Sequence, residues 1–222
     1  EQLVKAVAVQ RSVKSDAEID EMEKALEVTA AMYRAAFRAV RPGRTEAEIA
    51  AAIQAEALAH DRQQAFSPIV SVRGEVLHNH SYDNTLTDGD LLVIERADFE
   101  QWLNEHVDGR QRAIYDIVLA ANRAAIEAAG PGVTNRELHL LAARTVTEGL
   151  VDVGLMRGDA DAAVEAGAHA LFFVHGLGHM LGLDAHDMED LGDIVGYEPG
   201  EERSTQFGLA YLRLARRLEP GF

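Results

Sequence analysis

The chain has 222 residues, 47% of them hydrophobic, which is enough for one large domain or two small ones with a real core. Its 37 acidic against 21 basic residues give a net charge of −16, which repels nucleic-acid phosphates and anionic lipid head groups and argues against both as partners. With no cysteine there is neither a disulfide nor a thiolate metal site, so any metal must take oxygen and imidazole donors.

No apolar run approaches the roughly 20 residues that span a bilayer. The first residues, EQLVKAVAVQ, lack the basic start and apolar stretch of a signal peptide, so a cytoplasmic protein is expected. A chain that opens on Glu1 reads as trimmed at its start or cut from a longer one.

Ser15 and Glu18 form a capping box ahead of Ile19, Met22, Leu26, Met32 and Phe37, whose near-helical spacing predicts a long helix ending at Arg41-Pro42-Gly43. Thr45 with Glu48 opens a second helix running to about His60. Phe66 to Val72 and Leu91 to Ile94 read as strands. The turn-rich stretch between them, GEVLHNHSYDNTLTDGD, has His78 and His80 at its centre.

A helix through Gln111 to Ala129 ends at Gly130-Pro131-Gly132, and Thr134 with Glu137 caps another through about Val151. The glycine-rich region from Leu171 to Leu183 again reads as β-like. Pro42, Gly43, Thr45 and Glu48 recur 89 positions later as Pro131, Gly132, Thr134 and Glu137. Generic capping chemistry produces part of such a match, but four positions at one offset favour an internal duplication. Helix pairs followed by strands, written twice, predict an α+β fold with helices over a shared, curved antiparallel sheet. Nothing reads as a linker, so one domain over residues 1–222 is expected.

The segment FFVHGLGHMLGLDAHDMEDLGD, residues 172–193, puts His175, His179 and His186 within twelve positions. Histidines four apart suit one face of a helix, as in zincin metalloproteases. That reading fails: Gly176, Leu177 and Gly178 are a poor helical run, and the glutamate a zincin needs is a glycine. On strands and turns, the glycines instead let a backbone or ligand approach closely while the histidines project from fixed points. Three histidines in one segment, with His78 upstream, favour a functional cluster over a polar loop. His60, His139 and His169 stand in helical or ordinary surface contexts and read as structural; His80 and His106 stay undecided.

Taken together, VHGLGHMLGLDAHD, VLHNHSYDNTLTDGD, RQRAIYDIVLAANRAAIEAAGPG and LRLARRLEPGF resemble the catalytic domain of Xaa-Pro aminopeptidases (aminopeptidase P). These belong to the pita-bread metallopeptidase superfamily, with prolidase and methionine aminopeptidase. The likeness spans nearly the whole chain. It implies two related halves folded over a site with two divalent cations, manganese or cobalt, with zinc a third candidate, held by two aspartates, one histidine and two glutamates. Such cations activate a bridging water for attack on the bond before proline, so a peptide with proline at its second position is the implied substrate. By motif position, His179 becomes the metal-binding histidine and His78 the one that assists the leaving group. His175 and His186 then line the substrate side, with His186 placed to hydrogen-bond the carbonyl oxygen and its developing charge. A homo-oligomer is compatible with the resemblance.

The sequence departs from that pattern in two places. Where the family has a DGDLLLVDAG-type strand carrying the first metal-binding aspartate, this chain reads DGDLLVIERADFEQWLNEHVDGRQRAIYD, with Glu95 seven positions after Asp88. A YASDITRT-like segment with the second aspartate is missing, and none of Asp98, Glu100, Glu105 or Asp108 is a recognisable equivalent. After LEPGF the family continues into strands bearing two glutamates, whereas this sequence stops at Phe222, and the N-terminal domain of many members is absent.

The expectation is therefore a catalytic domain incomplete at its C-terminus, with His179 as the one clean metal ligand and Glu95 as a substitute. Two cations need several anionic oxygens, so weak or absent metal binding and no cleavage by this chain are expected. Asp184, Asp187, Glu189, Asp190 and Asp193 read as a solvated acidic loop. A fragment with a damaged stretch after Ile94 is the favoured explanation. The alternatives are a peptide-binding relative without chemistry and a hydrolase of the prolidase or creatinase kind.

Overall fold

The computed structural model describes residues 2–76, 78, 79, 81–90, 92 and 108–222. They fall into two units: Glu1–Glu18 with Asp108–Phe222, and Ile19–Val107. Among the described residues the α-helices are α1 (Gln2–Ser12), α2 (Asp16–Ala39), α3 (Glu46–Ala59), α4 (Gly109–Ala128), α5 (Asn135–Asp152) and α6 (Ala160–Glu165). The four long helices α2 to α5 fall where the sequence predicts them, and the capping boxes expected at the starts of α2, α3 and α5 are formed. Helices α1 and α6 were not anticipated: α1 leaves Leu3 and Val9 exposed and has no continuous apolar stripe to betray it. Among the described residues no helix is long and apolar enough to cross a membrane.

In the unit Ile19–Val107, Ala36 of α2 packs with Ile49, Ala50 and Ile53 of α3, and Val70 and Leu86 close the cluster. In the other unit, Ala121 and Ala125 of α4 meet Ala142 of α5, small side chains that let two helices approach. The mid-helix Gly149 serves the same contact, since a Cβ there would lie 2.5 Å from Ile117 of α4. A further cluster joins Ala8 of α1 to Met180, Met188, Val195 and Leu214.

The duplication extends well past four positions. Arg41 to Arg44 and Gly130 to Val133 each close a turn, with N–H to C=O distances of 3.1 and 3.2 Å. Their third residues, Gly43 and Gly132, hold φ of 87° and 94°, the left-handed geometry a type II turn requires. Thr45 and Thr134 then each form both arms of a capping box.

The same residues pair antiparallel with a later segment in each half. Gly43 and Glu46 donate to Leu86 and Asn84 around the bridge Thr45–Thr85; Gly132 and Asn135 donate to Leu218 and Arg216 around Thr134–Arg217. Both partner segments end in matching turns, Thr87 to Asp90 and Glu219 to Phe222, with Gly89 and Gly221 at φ 89° and 90°.

The first residue of the second helix is buried in both halves. Glu46 accepts from Val72 N–H at 2.9 Å and from Asn84 Nδ2 at 3.0 Å. Asn135 Nδ2 donates to Leu177 O at 2.6 Å and Leu214 O at 2.8 Å. Burial pushes the Glu46 carboxyl up, and the Val72 and Asn84 donors more than reverse that, leaving it below the ordinary carboxylate value.

The expected strands are not formed at 66–72 or 171–183; among the described residues, β pairing is confined to the two bridges. The reason lies in where backbone groups find partners. Pro68 has no N–H, Val70 O accepts from Asn79 Nδ2, Val72 N–H goes to Glu46 and Arg73 N–H to Ser71 Oγ. Side chains satisfy the segment where a neighbouring strand was expected. Of the strand expected at 91–94, all but Leu92 lies outside the described residues.

Candidate active site

The histidine-bearing segment follows a 3-10 turn, Ala168–Leu171, and is fixed by its glycines and by α5. A Cβ at Gly176 would lie 2.5 Å from Leu212 Cα and 2.7 Å from Tyr211 O, so the backbone passes where no side chain fits. Leu177 packs against the Ala121, Ala125 and Ala142 cluster. Its N–H donates to His139 Nδ1 at 3.2 Å, while His139 Nε2 lies 3.1 Å from Gly208 O.

His179 and His186 come together, with ring centroids 4.2 Å apart and planes inclined by 46°. His179 Nδ1 lies 2.9 Å from Met180 O, so it donates there and leaves Nε2 as a lone-pair donor to an electrophile. His186 Nδ1 lies 2.7 Å from both Glu189 Oε2 and Arg213 Nη1, and Arg213 Nε is 3.0 Å from Glu189 Oε1. One imidazole thus sits at the junction of an ion pair.

Asp187 closes the loop between the two histidines: its N–H donates to Met180 O at 3.0 Å, and its buried carboxylate pairs with Arg11. Lys14 is buried beside it, and that burial lowers its ammonium pKa even though Asp187 opposes the shift. The next residue, Met188, is buried at φ 60°, a left-handed conformation that a methionine keeps only when its surroundings hold it.

One sequence expectation needs correction. Asp187 is not part of a solvated loop, because an N-terminal arginine reaches it. His139 and His169, read as structural, are fully buried rather than at the surface, 6.0 Å apart between ring centroids, and burial pushes both imidazoles below their ordinary pKa. Asp108, which matches no metal-binding aspartate of the family pattern, is the N-cap of α4 and accepts from Arg110 and Gln111 N–H.

His175 lies exposed on the same segment as His179 and His186, whereas His78 lies exposed in the other unit. Glu95, His80 and His106 lie outside the described residues. No group of three or more histidine, aspartate or glutamate side chains able to hold a metal occurs among the described residues. His179 offers one imidazole nitrogen, and the Arg213 guanidinium beside His186 opposes a cation there. The described donors therefore do not fit a two-cation centre.

A family model described as metallopeptidase family M24 matches residues 20–97 and 100–221. The chain belongs to metallopeptidase family M24. Among its M24 relatives, the Xaa-Pro aminopeptidase of Haemophilus influenzae is 35% identical over 213 residues, covering 86% of this chain and 50% of that protein. Human Xaa-Pro dipeptidase is 32% identical over 230 residues, with coverage of 95% and 45%.

In backbone, the chain is similar to a single-residue variant of Escherichia coli aminopeptidase P in complex with substrate. The TM-score is 0.77 at 28% identity, over 97% of this chain and 48% of that one. Pseudomonas aeruginosa aminopeptidase PepP gives 0.76 at 31%, over 96% and 47%. The chain spans about half the length of the relatives it matches. The resemblance read from the histidine and proline-glycine segments is thus borne out for M24 membership and for the pita-bread fold of aminopeptidase P.

Proposed function

We propose that this chain carries the histidine side of a site that hydrolyses the peptide bond before a proline at the second position, the specificity that Xaa-Pro aminopeptidases are named for. The observation that carries the reading is the His179–His186 pair, seated on the glycine-bound segment of an M24 chain. In it His179 is the metal-binding histidine, with Nδ1 fixed on Met180 O and Nε2 left to ligate. His186 hydrogen-bonds the carbonyl oxygen of the scissile bond, held from behind by Glu189 and Arg213. His175 lines the substrate side, and His78 assists the leaving group.

Manganese or cobalt are the cations expected for such a site, with zinc a third candidate and Glu95 a substitute ligand. Because the described donors do not fit two cations, the 222-residue chain is expected to bind them weakly and to leave Xaa-Pro peptides uncleaved. Supplying the carboxylates of the family pattern tests the reading. Replacing residues 95–107 by a segment with two aspartates, and extending past Phe222 through two glutamate-bearing strands, should yield cation-dependent Xaa-Pro cleavage. In that protein, His179→Ala should lose activity in a way that excess cation partly restores. His186→Ala should lose on the order of 100-fold or more that cation cannot restore.

A second reading, a peptide-binding relative without chemistry, draws on the Arg213 guanidinium beside His186, which disfavours a cation and favours an anionic group. A repaired, cation-loaded chain that binds Xaa-Pro peptides without cleaving them would establish it.

A further inference from the structure

Asn135 and His139, one helical turn apart on α5, close on a single residue, Leu177, which lies midway between His175 and His179. The Leu177 C=O accepts from Asn135 Nδ2 at 2.6 Å and its N–H donates to His139 Nδ1 at 3.2 Å. Both side chains are more than nine-tenths buried, at 6% and 0% exposure. Leu177 is flanked by Gly176 and Gly178, so the link between the two histidines has little conformational preference of its own. Gly178 adopts φ 67°, and a Cβ there would sit 3.7 Å from Asn135 Oδ1.

We propose that Asn135 and His139 are positioning residues, which aim His175 and His179 by holding the backbone of Leu177 at both its N–H and its C=O. The inference rests on the reading above that these two histidines serve the site. It also assigns a tautomer: His139 Nδ1 must be bare to accept from Leu177, so Nε2 carries the proton and donates to Gly208 O at 3.1 Å. Neutral imidazole alone meets both partners. Losing the acceptor strands a partly buried N–H, whose desolvation favours a shift of the segment.

The two nitrogens can be replaced separately. In His139→Asn the amide oxygen stands where Nδ1 stood and keeps the Leu177 contact; in His139→Gln the amide nitrogen stands where Nε2 stood and keeps the Gly208 contact. Long-range proton–nitrogen NMR of the imidazoles, on the full 222-residue chain with His60 of the other unit as the reference, reads the outcome.

His139→Asn should leave the His175 and His179 signals near their wild-type positions, and His139→Gln should displace or broaden them while His60 stays put. A His139 that matters only for packing or for Gly208 gives the reverse order or equal effects, and either result overturns the proposal. Should both variants fail to fold, Asn135→Asp decides. A carboxylate suits a helix start but faces the Leu177 and Leu214 carbonyls, so His179 must move, and an unmoved His179 signal overturns the proposal. No substrate or cation enters these readouts, so failure of the Xaa-Pro reading leaves them unaffected.

Discussion

Single atoms decide several features of this chain. The buried His139 and His169 have imidazoles held below the ordinary 6.5 by burial, so the unfolded chain takes up protons that the folded chain refuses. Their contribution is whole above that value and is lost as the pH falls below it; Glu46, whose carboxyl is depressed below 4.5, adds a second loss further down. The urea midpoint should therefore be level above about pH 6.5 and decline steadily toward about pH 5, less steeply in His139→Asn. A level midpoint over that range would contradict the burial of the pair.

Gly176 is a sharper case. Its missing side chain makes room for Leu212 Cα and Tyr211 O, so Gly176→Ala should destabilise by about 1–3 kcal/mol in chemical denaturation, since backbone cannot yield as a side-chain tip can. Wild-type stability in that variant would mean the approach is looser than described.

Among elements, the paired helix starts offer the most direct comparison. Thr45 and Thr134 make the same capping box, after the same turn, beside the same kind of bridge. Thr45→Ala and Thr134→Ala should each cost about 1 kcal/mol of unfolding free energy, in similar amounts, because each strands an equivalent helix N–H. A large cost at one and none at the other would show that the likeness is superficial.

This symmetry was legible in the sequence because proline, glycine, threonine and glutamate each act within a few residues of where they stand. The absence of strands at 66–72 and 171–183 was not legible, for the opposite reason. Whether residues 66–72 or 171–183 join a ladder depends on Glu46, Asn79, Asn135 and His139, which reach across 9 to 42 positions and leave no periodic signal. His139 read as an ordinary helical histidine because its partners, Leu177 and Gly208, follow 38 and 69 residues later. His179 and His186 were visible because both stand in one short, unusual segment.

For the molecule as a whole, M24 membership and the few suitable donors among the described residues pull in different directions, and cation binding is where they meet. His179 presents one ligating nitrogen, its neighbour His186 is occupied by Glu189 and Arg213, and Asp187 is spent on Arg11. Extra acids alone do not repair this, because cations need anionic oxygens converging at the right distance rather than a negative net charge. Calorimetric titration of manganese into the 222-residue chain, beside His179→Ala and with an Xaa-Pro peptide assay on the same samples, tests the account most directly. It predicts at most one weak site, lost in His179→Ala, with no turnover. Two tight sites, or turnover that a chelator abolishes, would contradict it.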